Sequence, residues 1–447
     1  MYINRVELRN IRQFRHLDLS FVADSGLPLK WSLFLGDNAT GKTTLLRSIA
    51  LGLCDESSAA GLVRELAGSL VRKGSKQDGI IRIELIDSRG KPWTLKTTLH
   101  PLVSTGDNVR QEIFRANIDS SKPRRLKGKT TRPQKIGVGR FPWQALFVVG
   151  YGAARNPDGA EDYEQYRNVD AVYTLFRYDQ PLQSPELGWR RLLDLARKAS
   201  RGSRPEAAAL REDARIRELL HRVLVLGKGE EIELAHNGIQ VKGLGYTTPL
   251  TSHADGYKAT TAWVLDLIAW RMLSNRGLLP ETMSGVVLID EIEQHLHPKW
   301  QRYIIGRLHQ QFPKLQFIAT THSPLCTAGT ADLTEEQCQL VALSRIRSTV
   351  EPKRLPLPRG LRADQILTSN AFDLDETRNP DIGEKVTEFR ELFDKSRLTP
   401  KERRRFNTLR RYIDANVPEA GQFEEERNLR NELRDLLKKL EYARKKG

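Results

Sequence analysis

Residues 34–46, FLGDNATGKTTLL, constrain the fold more than any other stretch of this chain. An apolar run leads into a glycine-spaced loop, and Lys-Thr-Thr then opens a second apolar run. Residues 36–43 match the pattern G-x-x-x-x-G-K-[ST] in full, and in phosphate-binding loops this pattern lies between a strand and a helix. We therefore expect a strand up to Leu35 and a helix from Thr43 to about Leu53.

The chemistry of this loop follows from its residue types. Its glycines let main-chain amides turn toward phosphate oxygens, and the start of the following helix adds the positive end of its dipole. Lys42 is placed to reach the β- and γ-phosphates, and the Thr43 hydroxyl is placed to ligate Mg²⁺. The sequence thus predicts a site for a nucleotide and Mg²⁺ formed by Gly36, Asp37, Asn38, Ala39, Thr40, Gly41, Lys42, Thr43 and Thr44.

A phosphate-binding loop needs a second, acidic element to hold the metal. Residues 286–289 are apolar and end in Asp290 and Glu291. We expect Asp290 to hold Mg²⁺, commonly through water, and Glu291 to polarise the water that attacks the γ-phosphate. A simple helix cap is the open alternative for this acid pair. One strand later, ATTHSP sets His322 where its side chain could contact the γ-phosphate.

Short apolar strands interleaved with helices predict an α/β fold. Its sheet is expected to be mainly parallel and covered by helices on both faces. Residues 1–35 read as strands that include a half-exposed antiparallel edge, and residues 80–99 and 231–243 read as hairpins. Helical patterns cover residues 184–226 and 257–273.

Length and charge bound the class of protein. A chain of 447 residues with 39% hydrophobic residues is too long for one ordinary core, so two or three folded units are expected. The formal charge of +16 attracts phosphate polyanions. Residues 120–140 hold eight Lys or Arg and no acid, which leaves two interpretations open, a mobile solvated loop or a DNA contact.

The cysteines and the apolar stretches indicate the compartment. Cys54, Cys326 and Cys338 have no paired spacing, so neither a disulfide framework nor a zinc knuckle is expected, and a reducing cytosolic setting fits best. No stretch approaches the ~20 apolar residues needed to cross a bilayer. We expect a soluble cytoplasmic protein that is not exported.

The spacing of the two phosphate elements excludes the smallest nucleotide-binding folds. Lys42 and Asp290 are 290 − 42 = 248 residues apart, which exceeds a small GTPase or nucleotide kinase and implies an inserted lobe. Asp255 and Gly256 open a helix, and Gly256 lies 290 − 256 = 34 residues before Asp290. A second helix start of this kind predicts a second phosphate-binding element.

Taken together, these motifs resemble the ABC-type ATPase heads of the SMC/RecF class, above all the compact prokaryotic ATPases of defence systems and of OLD nucleases. The resembling motifs are the phosphate-binding loop, NIRQF (10–14), GYGAAR (150–155) where the family has its Q-loop, ADGYKA (254–259) as signature, LIDEIEQHLHP (288–298) and TTHSP (320–324). The resemblance implies ATP as the nucleotide and a pair of heads that sandwich two ATP molecules. The phosphate-binding loop of one head would then face Asp255 and Gly256 of the other.

The same resemblance assigns further residues. It implies that Asn10 and Arg12 lie near the nucleotide, and that Tyr151 and Gly152 link the γ-phosphate to the lid. Ala254 stands where the signature usually has a serine, which implies slow hydrolysis or a site tuned to hold ATP.

HLHP (295–298) is read as the loop that faces the second head. A metal site at His295 and His297 is the alternative reading of this stretch.

The resemblance also divides the chain. It implies an N-terminal head part, a lid with insertion, a C-terminal head part and a helical interaction region, over residues 1–54, 55–230, 231–358 and 359–447. In the last region Thr399, Pro400 and Glu402 form a helix-start signal. A later stripe of leucines fits either internal packing or a partner surface, at Leu429, Leu433, Leu436, Leu437 and Leu440.

The residues beyond Thr330 narrow the expected function. OLD-type nucleases carry a metal-binding domain there, whereas this chain offers only DLD at 373–375, and a nuclease needs clustered carboxylates for its metals. We therefore expect an ATPase that is not itself a nuclease, forms oligomers and regulates a separate effector. The tail consists of GLRADQILTSNAFDLDETRNP (360–380) followed by charged helices. It resembles the tail of defence-type ATPases, including the ATPase component of Septu-like anti-phage systems, which works with an HNH nuclease. The open alternatives are a RecF-like DNA-repair ATPase and the nucleotide-binding subunit of a transporter.

Overall fold

The computed structural model describes residues 1–66, 68–101, 109–115, 134–136, 140–156, 163–224, 226, 229–236, 238–243, 245–253, 255–274, 283–372, 374, 380–393, 395 and 398–416. The chain divides into two units, Met1–Asp373 and Leu374–Gly447.

Fifteen strands are described, all in the first unit. In chain order they are β1 (Tyr2–Ile11), β2 (Phe14–Ser20), β3 (Trp31–Leu35), β4 (Gly79–Ile86), β5 (Pro92–Leu99), β6 (Val109–Arg115), β7 (Gln134–Ile136), β8 (Val148–Tyr151), β9 (Glu231–Ala235), β10 (Gly238–Gly243), β11 (Tyr246–Pro249), β12 (Gly285–Ile289), β13 (Leu315–Thr320), β14 (Cys338–Ile346) and β15 (Thr349–Leu355).

Eleven α-helices are described, the last two in the second unit. They are α1 (Lys42–Gly52), α2 (Glu56–Arg64), α3 (Asn168–Val172), α4 (Pro185–Lys198), α5 (Arg204–Leu224), α6 (Asp255–Leu273), α7 (Pro298–Gln311), α8 (Pro324–Gly329), α9 (Ala363–Leu367), α10 (Pro380–Phe393) and α11 (Pro400–Asn416).

The central sheet has the strand order β15-β14-β3-β13-β12-β8. Neighbouring strands from β14 to β8 pair in parallel, and β15 pairs antiparallel with β14. Every residue of β3, β12 and β13 is buried, which explains why these strands are apolar without alternation. The prediction of an α/β fold with a mainly parallel sheet is confirmed.

Both faces of the central sheet are covered by hydrophobic cores. Val287 and Ile289 of β12 belong to a core that includes side chains of α6 and α7. Val286 and Leu288 of the same strand belong to a second core, which includes the apolar face of α1. Alternate side chains of one strand thus enter different cores, as the pleat requires.

A second sheet is antiparallel throughout, with the order β2-β1-β4-β5-β6-β7. The predicted hairpin at 80–99 is confirmed as β4 and β5, and the Asp87 amide donates to the Lys91 carbonyl at 3.0 Å across the turn. The half-exposed edge expected within residues 1–35 is β2. It is not β1, because β4 pairs with the other side of β1.

The remaining first-unit predictions differ from the structure in detail. Residues 231–243 form the expected hairpin as β9 and β10, and β11 adds a third strand that the sequence pattern did not indicate. Helix α6 begins at Asp255, which confirms that Asp255 and Gly256 open a helix, and all residues over 259–271 are buried. The buried stretch of this helix is mostly apolar, as burial on all sides requires, but it also contains the buried polar side chains of Asp266 and Arg271.

The second unit contributes α10 and α11. The predicted start of α11 is confirmed, since the Thr399 amide donates to Glu402 Oε2 at 2.8 Å and the Glu402 amide donates to Thr399 Oγ1 at 3.3 Å. The aromatic rings of Phe389 and Phe406 stack with their centroids 4.6 Å apart. The predicted leucine stripe at 429–440 lies outside the described residues.

Within the described ranges, no helix combines the length and the apolar character that a membrane span requires. All three cysteines are free and buried, and burial raises the pKa of the Cys326 thiol to about 12.

Candidate nucleotide site

The phosphate-binding loop connects β3 to α1, as its pattern predicts. Gly36 and Gly41 have φ angles of 144° and 95°, values that residues with a Cβ rarely adopt. A Cβ at Gly36 would lie 2.5 Å from the Leu343 carbonyl oxygen, and one at Gly41 would lie 2.5 Å from Gln13 Nε2. Both glycines are therefore required by the main-chain conformation and by the space around them.

Lys42 and Thr43 lie at the start of α1 and face the loop. Lys42 Nζ donates to the Gly36 carbonyl at 2.6 Å and to the Asp37 carbonyl at 2.9 Å. Burial lowers the pKa of the Lys42 ammonium, whereas the nearby Asp290 carboxylate raises it. The Thr43 hydroxyl donates to Asp290 Oδ2 at 2.6 Å, so residues 247 positions apart in the chain meet at the end of the central sheet.

Thr320 organises the acid pair, a role that was not predicted although Thr320 is the first residue of the TTHSP motif. Its hydroxyl donates to Asp290 Oδ1 at 2.6 Å and accepts from the Glu291 amide at 2.8 Å. Because β12 and β13 pair in parallel, their last residues lie side by side. The one signal in the sequence that could have found Thr320 is its position at the end of the strand that precedes His322.

The helix-cap interpretation of Asp290 and Glu291 is wrong. Turn residues follow Glu291, and α7 begins only at Pro298. The cap of α7 is His297, whose Nδ1 accepts from the Lys299 amide at 3.3 Å.

A cavity of about 270 Å³ brings half of the predicted site residues together. It is lined by Arg12, Gln13, Asn38, Ala39, Gly41, Lys42, Thr43, Thr44, Glu291 and His322. The adjacent Glu293 carboxylate accepts from the His322 amide at 2.5 Å and from the Thr321 hydroxyl at 2.6 Å. Glu293 thereby fixes the main chain that carries His322, and this role was not predicted.

The structure separates the two residues predicted from NIRQF. Arg12 lines the cavity. The Asn10 side chain turns to the 75–78 loop instead, and its Nδ2 donates to Gln77 O at 2.6 Å and to Ser75 Oγ at 2.9 Å. The structure therefore does not bring the Asn10 side chain into the cavity lining, and Asn10 has a left-handed φ of 56° where its amide turns to this loop. Gln13, which was not predicted, lines the cavity in its place.

Tyr151 is also corrected. Its side chain is fully buried, and its hydroxyl donates to Asp266 Oδ2 of α6 at 2.9 Å, so it points into the core rather than the cavity. The Gly152 amide donates to Thr174 Oγ1 at 3.3 Å, and a Cβ there would clash with the Thr174 carbonyl. From this segment, Arg155 approaches the acid pair, and it donates to the Glu291 carbonyl.

Asp266 stands out among the buried groups near the site. It accepts from the Tyr151 hydroxyl and, at 3.0 Å, from the Gln183 amide. Burial raises the pKa of its carboxyl group to about 7. Burial likewise lowers the pKa of the Arg155 guanidinium to about 10.

The predicted second phosphate element begins α6. A Cβ at Gly256 would lie 2.6 Å from the His295 carbonyl oxygen, so the start of α6 packs against the turn that follows Glu291. Asp255 is the first residue of this helix, and Ala254 lies outside the described residues. The facing of Asp255 and Gly256 toward a second head remains a prediction.

A basic groove adjoins the cavity through Arg12 and Gln13. Its volume is about 530 Å³, and the described residues that line it include four cations and no acid, namely Arg12, Gln13, Ser69, Val71, Arg72, Lys73, Arg345 and Ser348. Arg72 is held by main-chain oxygen, since its Nη2 donates to the Ser348 carbonyl at 2.8 Å. Of the predicted basic segment 120–140, only residues 134–136 and 140 are described.

The residues present fit a Mg²⁺ ion. A threonine hydroxyl and a carboxylate converge at Thr43 and Asp290, and Mg²⁺ prefers such oxygen donors with few protein ligands. Elsewhere in the described part of the chain, no group of three or more His, Cys, Asp or Glu side chains could hold a metal. Thr43 and Asp290 are thus the donors that would hold the ion.

The fold and the site together define a P-loop ATPase head of the ABC type. A family model described as "AAA domain, putative AbiEii toxin, Type IV TA system" matches residues 32–327. This match spans more than half of the chain, and the chain belongs to that family.

Several known proteins are similar to this chain. Septu protein PtuA of Bacillus mycoides (strain KBAB4) is 26% identical over 410 residues, which cover 90% of this chain and 49% of that protein. Septu protein PtuA of Bacillus thuringiensis is 35% identical over 132 residues, which cover 28% of this chain and 32% of that protein. The chain thus spans half or less of the length of these relatives.

Among solved structures, the crystal structure of an Smc head bound to the C-winged helix domain of ScpA matches with a TM-score of 0.47 and 16% identity. The match covers 80% of this chain and 98% of that one.

Proposed function

We propose that this chain binds and hydrolyses ATP and acts in Septu-type anti-phage defence. The observation that carries the proposal is the convergence of Lys42, Thr43, Glu291 and His322 on one cavity, with Asp290 bonded to Thr43. The similarity to two proteins named Septu protein PtuA supports the defence setting.

The proposed chemistry assigns phosphate binding, metal binding and activation of the attacking water to different residues of the site. Lys42 binds the β- and γ-phosphate oxygens. Thr43 and Asp290 hold Mg²⁺, which supplies positive charge to the phosphates when bound. Glu291 accepts a proton from the attacking water, and His322 contacts the γ-phosphate.

We propose that two heads close on two ATP molecules, with Asp255 and Gly256 of one head facing the phosphate-binding loop of the other. The support is the resemblance of ADGYKA (254–259) to the family's signature. In the structure Gly256 packs against the His295 carbonyl, so the start of α6 lies beside the turn after Glu291. ATP would favour the closed pair through its higher affinity for that state, and hydrolysis would open it.

We further propose that the output belongs to a separate effector protein, such as an HNH nuclease, and that the chain is not itself a nuclease. In this proposal the head comprises residues 1–54 and 231–358, the lid 55–230 and an interaction region 359–447. The chain would act in the cytoplasm, without a membrane partner.

Co-expression with the neighbouring-gene effector tests this function. The wild-type pair is expected to protect cells from phage and to co-purify, while Lys42→Ala abolishes ATP binding and protection. Arg64→Ala, on α2 and outside the cavity, is the matched cation control and is expected to behave as wild type. Retained tight ATP binding by Lys42→Ala would refute the nucleotide site.

A RecF-like DNA-repair ATPase is the second candidate function. The basic groove favours it, because its described lining has four cations and no acid, and such a surface attracts nucleic-acid phosphates. ATP-dependent DNA binding by the isolated chain, without any effector in complex, would select this alternative. Salt-dependent binding that Arg72→Ala with Lys73→Ala removes would locate the contact in the groove.

A further inference from the structure

A buried arginine lies behind the acid pair and has no role in the proposed chemistry so far. Arg155 follows β8 by four residues and is 2% exposed. Its φ angle is 40°, an unusual value for a residue with a side chain. It is not among the described residues that line the nucleotide cavity, so contact with the nucleotide is not its evident purpose.

The parallel pairing of β8 with β12 brings this segment to the acid pair. Ile289 lies opposite Tyr151 in the register, and the Asp290 amide donates to the Tyr151 carbonyl at 2.8 Å. The chain beyond Tyr151 therefore runs beside the chain beyond Ile289. This adjacency places Arg155 next to Glu291.

Arg155 and Thr320 bond to the carbonyl and the amide of the same residue, Glu291. Nη2 of Arg155 donates to the Glu291 carbonyl, and the Glu291 amide donates to Thr320 Oγ1 at 2.8 Å. Glu291 itself has a left-handed φ of 49°, which persists only where surrounding contacts enforce it. Both polar groups of the Glu291 main chain are thus fixed while its side chain lines the cavity.

The positive charge of Arg155 is balanced by nearby carboxylates. Asp290, Glu291 and Glu293 are the acidic groups that interact electrostatically with its guanidinium, and a buried cation persists when such carboxylates compensate it. Its buried Nε finds no hydrogen-bond partner among the described residues. A buried donor without a partner is costly, so packing alone does not account for an arginine at this position, whereas its contacts with the acid pair do.

We propose that Arg155 is a positioning residue for ATP hydrolysis that acts through Glu291. It holds the Glu291 main chain in the left-handed conformation that directs the carboxylate into the nucleotide cavity. The inference rests on the proposed function, because it needs Glu291 as the base. It adds that the segment after β8, through Arg155, sets the geometry of that base.

Steady-state ATPase kinetics of the full chain test this role. Arg155→Met is expected to lower kcat by roughly 10- to 100-fold, since a mispositioned base loses much of the ~10²–10⁴-fold that general-base catalysis contributes. KM for ATP should change by less than about 2-fold, because Lys42 and the loop still bind the phosphates. Arg155→Lys, which retains a donor and the charge, should recover part of kcat.

A double-variant cycle separates positioning from a general loss of structure. Arg155→Met combined with Glu291→Gln should be no slower than Glu291→Gln alone, since no base remains to be positioned. Arg167→Met removes an exposed arginine that pairs with Asp170 at 2.6 Å, and this matched control should keep wild-type kcat. Thermal melting shows whether each variant folds. If Arg155→Met does not fold, the cycle is run with Arg155→Lys in its place.

The outcomes are separable. Wild-type kcat in Arg155→Met, or losses that multiply in the double variant, would overturn the role of Arg155 and leave the proposed function standing. Full turnover by Glu291→Gln, or a wild type without ATPase activity, would overturn both.

Discussion

At the residue scale, a single hydroxyl connects the two acids of the site. Thr320 donates to Asp290 Oδ1 and accepts from the Glu291 amide, and it is completely buried. Glu291 and Ala39, both in the cavity lining, have left-handed φ angles of 49° and 65°, each costing about 1–3 kcal/mol. Conformations of this kind persist where neighbouring contacts determine them, and Thr320 supplies one such contact.

Thr320→Val tests that contact with a nearly isosteric change. The valine leaves Asp290 Oδ1 and the Glu291 amide without their shared partner, so we expect a loss of about 1–3 kcal/mol in the free energy of unfolding. Urea denaturation measures it. Thr368→Val removes an exposed hydroxyl and should change stability by less than ~0.5 kcal/mol. Equal stabilities of the two variants would deny Thr320 this role.

Glu291→Gln tests the base itself. The glutamine retains the shape of the side chain but cannot accept the proton, so kcat should fall by roughly 10²- to 10⁴-fold. ATP should still bind, and the ATP-bound oligomer should become long-lived enough to isolate by size-exclusion chromatography. The matched control is Glu336→Gln, which makes the same change at an exposed position and should keep wild-type kcat. Normal turnover by Glu291→Gln would remove Glu291 from the role of base.

At the element scale, helix α6 connects the strand that ends at Tyr151 with the turn after Glu291. The Tyr151 hydroxyl bonds to Asp266, and Gly256 packs on His295. The Asp266 carboxyl group is buried, and its pKa is about 7 instead of the ordinary 3.8. At a pH between these two values, the Asp266 carboxyl group is therefore protonated in the folded protein and ionised in the unfolded chain.

This raised pKa predicts the sign of a pH dependence. Between about pH 4 and pH 7 the folded state binds more protons at Asp266 than the unfolded state does. The contribution of Asp266 to the free energy of unfolding therefore falls as the pH rises through this window and is constant above it. Asp266→Asn removes the ionisation. We expect the stability of this variant relative to the wild type to rise from about pH 4.5 to about pH 8 in denaturant unfolding. Asp24→Asn, at an exposed position, is the control substitution. A difference that is independent of pH would contradict the raised pKa.

At the scale of the whole molecule, the chain has a unit with the nucleotide site, Met1–Asp373, and a second unit, Leu374–Gly447. The described helices of the second unit are rich in charge, as in α11 with Lys401, Arg403, Arg404 and Arg410. None of its described residues lines the nucleotide cavity. Separate units of this kind suit a division between nucleotide chemistry and partner binding.

Deletion of the residues after Thr399 tests this division. The truncated chain should bind ATP with unchanged affinity, since every described residue of the cavity is retained, but should lose its effector or assemble more weakly. Isothermal titration with ATP and co-purification measure the two properties. An unaffected complex would reduce the leucine stripe at 429–440 to internal packing.

Sequence alone determined the parts of this protein that depend on local geometry. The glycine loop, the apolar strands, the start of α11 and the acid pair after β12 each follow from short-range rules on dihedral angles, capping and periodicity. A resemblance carried by those motifs was enough to predict the class of ATPase head.

Tertiary structure alone decided which side chains meet at the site. Asn10 was predicted to lie near the nucleotide and Tyr151 to link the γ-phosphate to the lid, but their side chains turn to a loop and to Asp266. Gln13, Arg155, Thr320 and Glu293 lie around the acid pair and the cavity instead. For Tyr151 and Thr320 the physical reason is strand register, because pairing between distant segments sets the direction of each side chain in a strand. Asn10 and Arg155 have left-handed φ angles of 56° and 40°, which depend on surrounding tertiary contacts rather than on a short-range pattern.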